Sequence, residues 1–169
     1  KAKVGVKLAA IHLMDKQPKK VLEVLKYSRW RPLSRDTIRE RKFLEARANA
    51  EIGRYQAALN SLVGEKSLEA KLIRSDIYWR SKDWAKASAA MEKILGKRWK
   101  DDTPLMDEER SHVMRLAVAF VLAGNGSAIG NLRDQYQKFM LETPDEDAFE
   151  VVTREIDPTT IEFRKVSKA

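Results

Sequence analysis

The chain has 169 residues, 43% of them hydrophobic and 34% charged, enough apolar material for one domain or a short repeat array and too much for a disordered chain. It holds no cysteine, which excludes disulfides and thiolate-bound metals and leaves cytoplasmic and cell-envelope settings both open. The net charge of +8 is uneven: residues 1–100 carry 25 Lys/Arg against 11 Asp/Glu, and residues 101–169 carry 8 against 14, so a net of +14 faces a net of −6 and predicts a basic front and an acidic back.

No apolar run approaches the ~20 residues that span a bilayer, and the first residues do not read as a signal peptide. The chain starts at Lys1, so it reads as a piece of a longer, bacterial-style scaffold. The first helix is predicted over 4–14, with Val4, Leu8, Ile11 and His12 on its apolar side. Asp15-Lys16-Gln17 turns the chain, and Pro18 suits a first helical position, where its missing N–H costs nothing. Val21, Leu22, Val24 and Leu25 give the second helix its apolar face.

Arg29-Trp30-Arg31-Pro32-Leu33 breaks the pattern, and Ser34 is predicted to cap a helix over 35–52. Gly53 fits the left-handed conformation that ends such a helix, and 56–62 returns as its partner. Residues 67–81 form the next helix through Leu68, Leu72, Ile73, Ile77 and Tyr78, and 84–95 follows with Trp84, Ala87, Met91, Ile94 and Leu95. Thr103-Pro104 reads as a cap and first-turn proline for a helix ending at Ala123. Gly124-Asn125-Gly126 marks a turn, and flanks with a period near 3.6 favour a helical hairpin over a β-hairpin, with its second helix at 127–141. Thr143-Pro144-Asp145-Glu146 predicts a capping-box start for a helix over 144–156, and Asp157-Pro158 a last one over 158–167. The fold class is therefore all-α, with no strand.

The stretch Gly53-Arg54-Tyr55-Gln56-Ala57-Ala58 has an echo 29 residues later in Lys82-Asp83-Trp84-Ala85-Lys86-Ala87. In both, an aromatic residue follows a turn and an alanine stands three positions on, where two helices would cross. These units resemble tetratricopeptide repeats. The match is best at 39–66, through Ala46, Gly53, Tyr55 and Ala58, and next at 68–96, through Tyr78, Trp84 and Ala87; 4–28 and 107–141 keep only the hairpin. The resemblance implies a single right-handed solenoid of helical hairpins at 4–28, 35–62, 67–95 and 104–141. It also implies a concave surface that binds protein or peptide, with Phe43, Arg47, Ala50 and Glu51 contributed by one unit and Leu72, Asp76, Trp79 and Arg80 by the next. Some members clamp a C-terminal carboxylate with lysine and asparagine; the matching slots here hold Phe43, Arg47, Glu69 and Ile73, so that mode is not expected.

Nothing in the sequence assembles a catalytic set, a cofactor site or a metal site. His12 and His112 are the only histidines, and neither has a nucleophile or second ligand nearby in sequence. Asp107-Glu108-Glu109 and Asp145-Glu146-Asp147 fall in first helical turns, where the helix dipole favours carboxylates. The glycines at 124 and 126 lack the preceding strand and the Lys-Ser/Thr of a phosphate loop. The basic-aromatic cluster Arg29, Trp30, Arg31 and Arg35, with Lys97-Arg98-Trp99-Lys100, supports a second reading as a surface for nucleic acid or an anionic membrane. The expected function is non-catalytic protein–protein interaction, with an acidic protein as the favoured partner.

Overall fold

The computed structural model describes residues 2–29 and 33–154, and every regular element among them is helical. Trp30, Arg31, Ile156 and the helix expected at 158–167 lie outside the described residues. The elements are α1 (Ala2–Met14), α2 (Pro18–Tyr27), α3 (Arg35–Glu51), α4 (Tyr55–Ser61), α5 (Leu68–Arg80), α6 (Trp84–Leu95), α7 (Asp107–Leu122), α8 (Gly126–Met140) and α9 (Glu146–Thr153), with a short 3-10 turn at Arg98–Lys100. The chain divides into two compact units, Lys1–Ile94 and Leu95–Ala169.

In the first unit α3 is the central element. It packs on α1 and α2 on one side and on α4 and α5 on the other. Its sequence serves both sides at once. Leu44 and Ala48 join Val6, Ala9, Val21 and Leu25 in one core cluster. Phe43, Ala46 and Ala50 join Ala58, Leu62, Ala70, Ile73 and Ile77 in another. The alanines on α3 and Ala58 on α4 are fully or almost fully buried, so the helices approach closely there.

The same turn closes four helices. Lys16, Gly53, Lys82 and Gly124 all take positive φ, at 53°, 77°, 58° and 68°. The residue after each donates its N–H to the carbonyl five positions back: Gln17 to His12, Arg54 to Asn49, Asp83 to Tyr78 and Asn125 to Phe120, at 2.8–3.0 Å. This hydrogen-bond pattern satisfies the carbonyls that a helix end leaves open. The 29-residue echo is therefore a conformational one as well, and the turn recurs at 16 and 124, where the sequence carries less of the signature.

Two helix starts differ from expectation. The helix expected from Thr103-Pro104 begins at Asp107. The Arg98 guanidinium donates to the carbonyls of Thr103 (3.2 Å) and Pro104 (2.8 Å), and Leu105 is buried, so this stretch is pinned before the helix. Met106 then stands at the cap position, and Glu109 Oε2 accepts its N–H at 2.8 Å. Near Thr143 the helix begins at Glu146. Thr143 Oγ1 donates to the Met140 carbonyl at 2.7 Å, and Glu146 accepts from the N–H of Glu142, not of Thr143. The Ser34 cap is as read: its Oγ accepts from Thr37 N–H at 3.2 Å.

A third correction concerns α1. It buries Gly5, Val6 and Ala9, and the expected apolar side of Val4, Leu8 and Ile11 is exposed. The cause is close approach. Gly5 lies against Ser28 at the end of α2, where any β-carbon would collide with the Ser28 side chain. Small residues, not large ones, define the packed face.

Candidate protein-binding groove

Within the first unit, α1, α3 and the start of α5 border an open groove of about 750 Å³. Val6 and Ala10 of α1 and Phe43 and Leu44 of α3 supply its apolar lining. Lys3, Lys7, Arg39 and Arg47 stand with Asp36, Glu40 and Glu69 around it. The periodicity of α1 explains its share: Lys3, Val6, Lys7 and Ala10 follow i, i+3, i+4, i+7 and lie on one helical face. On α3, Asp36, Arg39, Glu40, Phe43 and Arg47 follow the same spacing.

The charged rim is internally paired at one end. Arg47 Nη2 meets Glu69 Oε1 at 3.0 Å. Lys42 Nζ meets Glu65 Oε1 at 2.8 Å, and Arg39 Nε lies 3.5 Å from the other Glu65 oxygen. The hydrogen bond from Lys42 holds the Glu65 carboxyl below its ordinary pKa, and Arg39 adds to the effect. Lys3 and Lys7 have no acidic partner among the described residues.

The residues singled out from sequence divide among three places. Phe43 and Arg47 do border the groove, but Phe43 is only 3% exposed, so it forms floor and offers little contact area. Asp76, Trp79 and Arg80 lie apart, at the far end of α5, about 10–17 Å along the helix from Glu69 at 1.5 Å per residue. There Arg80 Nε donates to Asp76 Oδ2 at 2.7 Å, a bond that raises the arginine's pKa. Tyr55 Oη donates to the Arg80 carbonyl at 3.0 Å, and Trp79 meets Trp84 edge to face at 5.3 Å. This cluster ties the aromatic of each echo unit to the end of α5. Arg29 and Arg35, which precede and follow Trp30 and Arg31 in the sequence, are exposed. Lys3, Lys7 and Ala10 were not singled out from sequence, because the apolar stripe of α1 drew attention to its other side.

In the second unit Asp107, Glu109 and Asp145 are engaged by arginines. Arg98 forms a two-pronged pair with Glu109, at 2.6 and 3.2 Å. Arg110 bridges Asp107 at 2.8 Å and Asp145 at 3.0 Å. Among the described residues, no group of three His, Asp or Glu side chains is placed to hold a metal ion, and no helix is long and apolar enough to cross a membrane. No protein-family model, no curated protein and no solved structure matches this chain.

Proposed function

We propose that this chain is a non-catalytic protein-interaction module that holds a segment of a partner in the groove between α1, α3 and α5. The observation that carries the reading is the composition of that groove: an apolar floor from Val6, Ala10, Phe43 and Leu44 inside a rim of both charge signs. A floor of this kind supplies area, and a mixed rim supplies register and orientation. The reading includes a tetratricopeptide-type array in which α1, α3 and α5 are the inner helices, within a larger scaffold. The test is selection of a displayed peptide library on the whole chain, followed by binding of the recovered peptides to Arg39→Glu/Arg47→Glu. Loss of about tenfold or more in affinity is expected; peptides indifferent to both changes would place binding elsewhere.

A second reading rests on the exposure of Arg29 and Arg35, which bracket Trp30 and Arg31 in the sequence. It assigns the basic half to nucleic acid or an anionic membrane. Single-stranded oligonucleotide binding that weakens as a steep power of salt, and that Arg29→Glu/Arg35→Glu removes, would favour it over the groove.

A further inference from the structure

We propose a second docking surface, on the outer side of α1, whose occupant is an acidic amphipathic helix of a partner protein. Val4, Leu8 and Ile11 follow i, i+4, i+7 and are 67%, 42% and 53% exposed, with Met14 exposed at the end of the same helix. The stripe lies about a third of a turn round α1 from the groove face of Lys3, Val6, Lys7 and Ala10, so it is a separate surface. A row of three branched aliphatics at this spacing is the seam that a second helix packs against, ridge into groove, over roughly two turns.

Charge selects the occupant. α1 carries no carboxylate, and Lys3 and Lys7 run along one edge of the stripe, the edge it shares with the groove face. The α1–α2 hairpin as a whole has Lys3, Lys7, Lys16, Lys19, Lys20, Lys26 and Arg29 against Asp15 and Glu23. None of the lysines of α1 or of the turn after it has an acidic partner among the described residues. A second copy would bring like charge against like charge across the seam, which disfavours self-association. A membrane-binding face is normally broad and carries aromatic anchors; this stripe is narrow and wholly aliphatic. An apolar seam with unpaired lysines along one edge fits a helix whose own seam is aliphatic and whose facing edge is Asp and Glu.

The experiment selects a displayed library of helical peptides of about 18 residues, five turns long, on the whole chain. Leu8→Glu/Ile11→Glu serves for counter-selection. Both residues are exposed, so the variant should keep the wild-type unfolding midpoint, and Val4→Glu is a second, independent lesion. Peptides lost on the variants should carry aliphatics at i, i+3 or i+4, and i+7 with an acidic flank. They should bind either variant about tenfold more weakly or worse, and should be unaffected by Arg39→Glu/Arg47→Glu. The proposal is overturned if no recovered peptide distinguishes the variants, or if those that do are basic or not helical. It is also overturned if Leu8→Glu/Ile11→Glu converts a wild-type dimer to a monomer. The same holds if the only activity the variant removes is co-sedimentation with phosphatidylserine–phosphatidylcholine vesicles at about 1:3.

Discussion

Gly5 shows how a single missing methyl can decide which face of a helix is buried. In a helix interior, glycine costs about 1 kcal/mol relative to alanine, so propensity alone favours Gly5→Ala. Here the new β-carbon would meet the Ser28 side chain, and Ser28 is itself fixed. Its Oγ donates to the Val24 carbonyl at 2.6 Å and accepts from Arg41 Nη1 at 2.9 Å. The Arg41 guanidinium, buried and held below its ordinary pKa chiefly by desolvation, also donates to the Leu25 carbonyl and so closes the end of α2. Gly5→Ala should therefore destabilise the first unit by about 1–3 kcal/mol in urea unfolding, the usual cost of overpacking. Ser28→Gly in the same chain should return part of that loss. A stabilised Gly5→Ala would mean that α1 and α2 do not approach as described.

At the scale of elements, the hairpin turns were the most legible feature. Gly53 announces a left-handed helix end through its residue type, and the 29-residue echo places Lys82 in the same role despite its side chain. A non-glycine residue at positive φ pays about 1–2 kcal/mol for the contact of its β-carbon with the backbone. Glycine avoids that cost but loses more chain entropy on folding. Lys82→Gly should thus raise stability by about 0.5–1 kcal/mol, and Gly53→Ala should lower it by about 1–2 kcal/mol, both readable as shifts in denaturation midpoint. Equal effects of the two changes would argue against a shared turn. The helix starts at 107 and 146 were less legible. Each was shifted by a competing partner a few residues away, the Arg98 guanidinium on the Thr103 and Pro104 carbonyls in one case and the Glu142 N–H on Glu146 in the other. The face of α1 was misread for a related reason: periodicity marks a stripe of large residues, but close packing was achieved through small ones. The groove was half legible, since Phe43 and Arg47 came from repeat slots, whereas Lys3, Lys7 and Ala10 become neighbours of α3 only through tertiary packing.

Across the whole molecule, charge polarity in sequence translates into two kinds of surface. Basic residues of the α1–α2 hairpin stay largely unpaired, whereas Asp101, Asp107, Glu109, Asp145 and Glu150 of the second unit are drawn into arginine pairs. The acid response should follow from the latter. Glu109 is held below its ordinary pKa of 4.5, chiefly by the hydrogen bond from Arg98, with burial opposing the shift. A depressed folded-state pKa means that the unfolded chain takes up the proton first. The stabilisation is therefore complete above about pH 4.5 and is lost as the pH falls through the folded value. Glu109→Gln should be less stable than wild type at pH 6, and the gap should narrow towards pH 3. Urea midpoints by circular dichroism at the two pH values measure it, and a gap that stays constant would remove the pair from the acid response.

On α3, neighbouring positions answer to different cores: Phe43 belongs with α4 and α5, Leu44 with α1 and α2. The boundary between successive hairpins therefore runs through the middle of one helix and not through a loop. Modularity is limited accordingly. A hairpin cut at the loops after α2 and α4 and grafted into another array would carry half of its neighbour's interior with it. The exchangeable cassette in this unit is a seam-to-seam segment, which takes one flank of α3 and leaves the other behind.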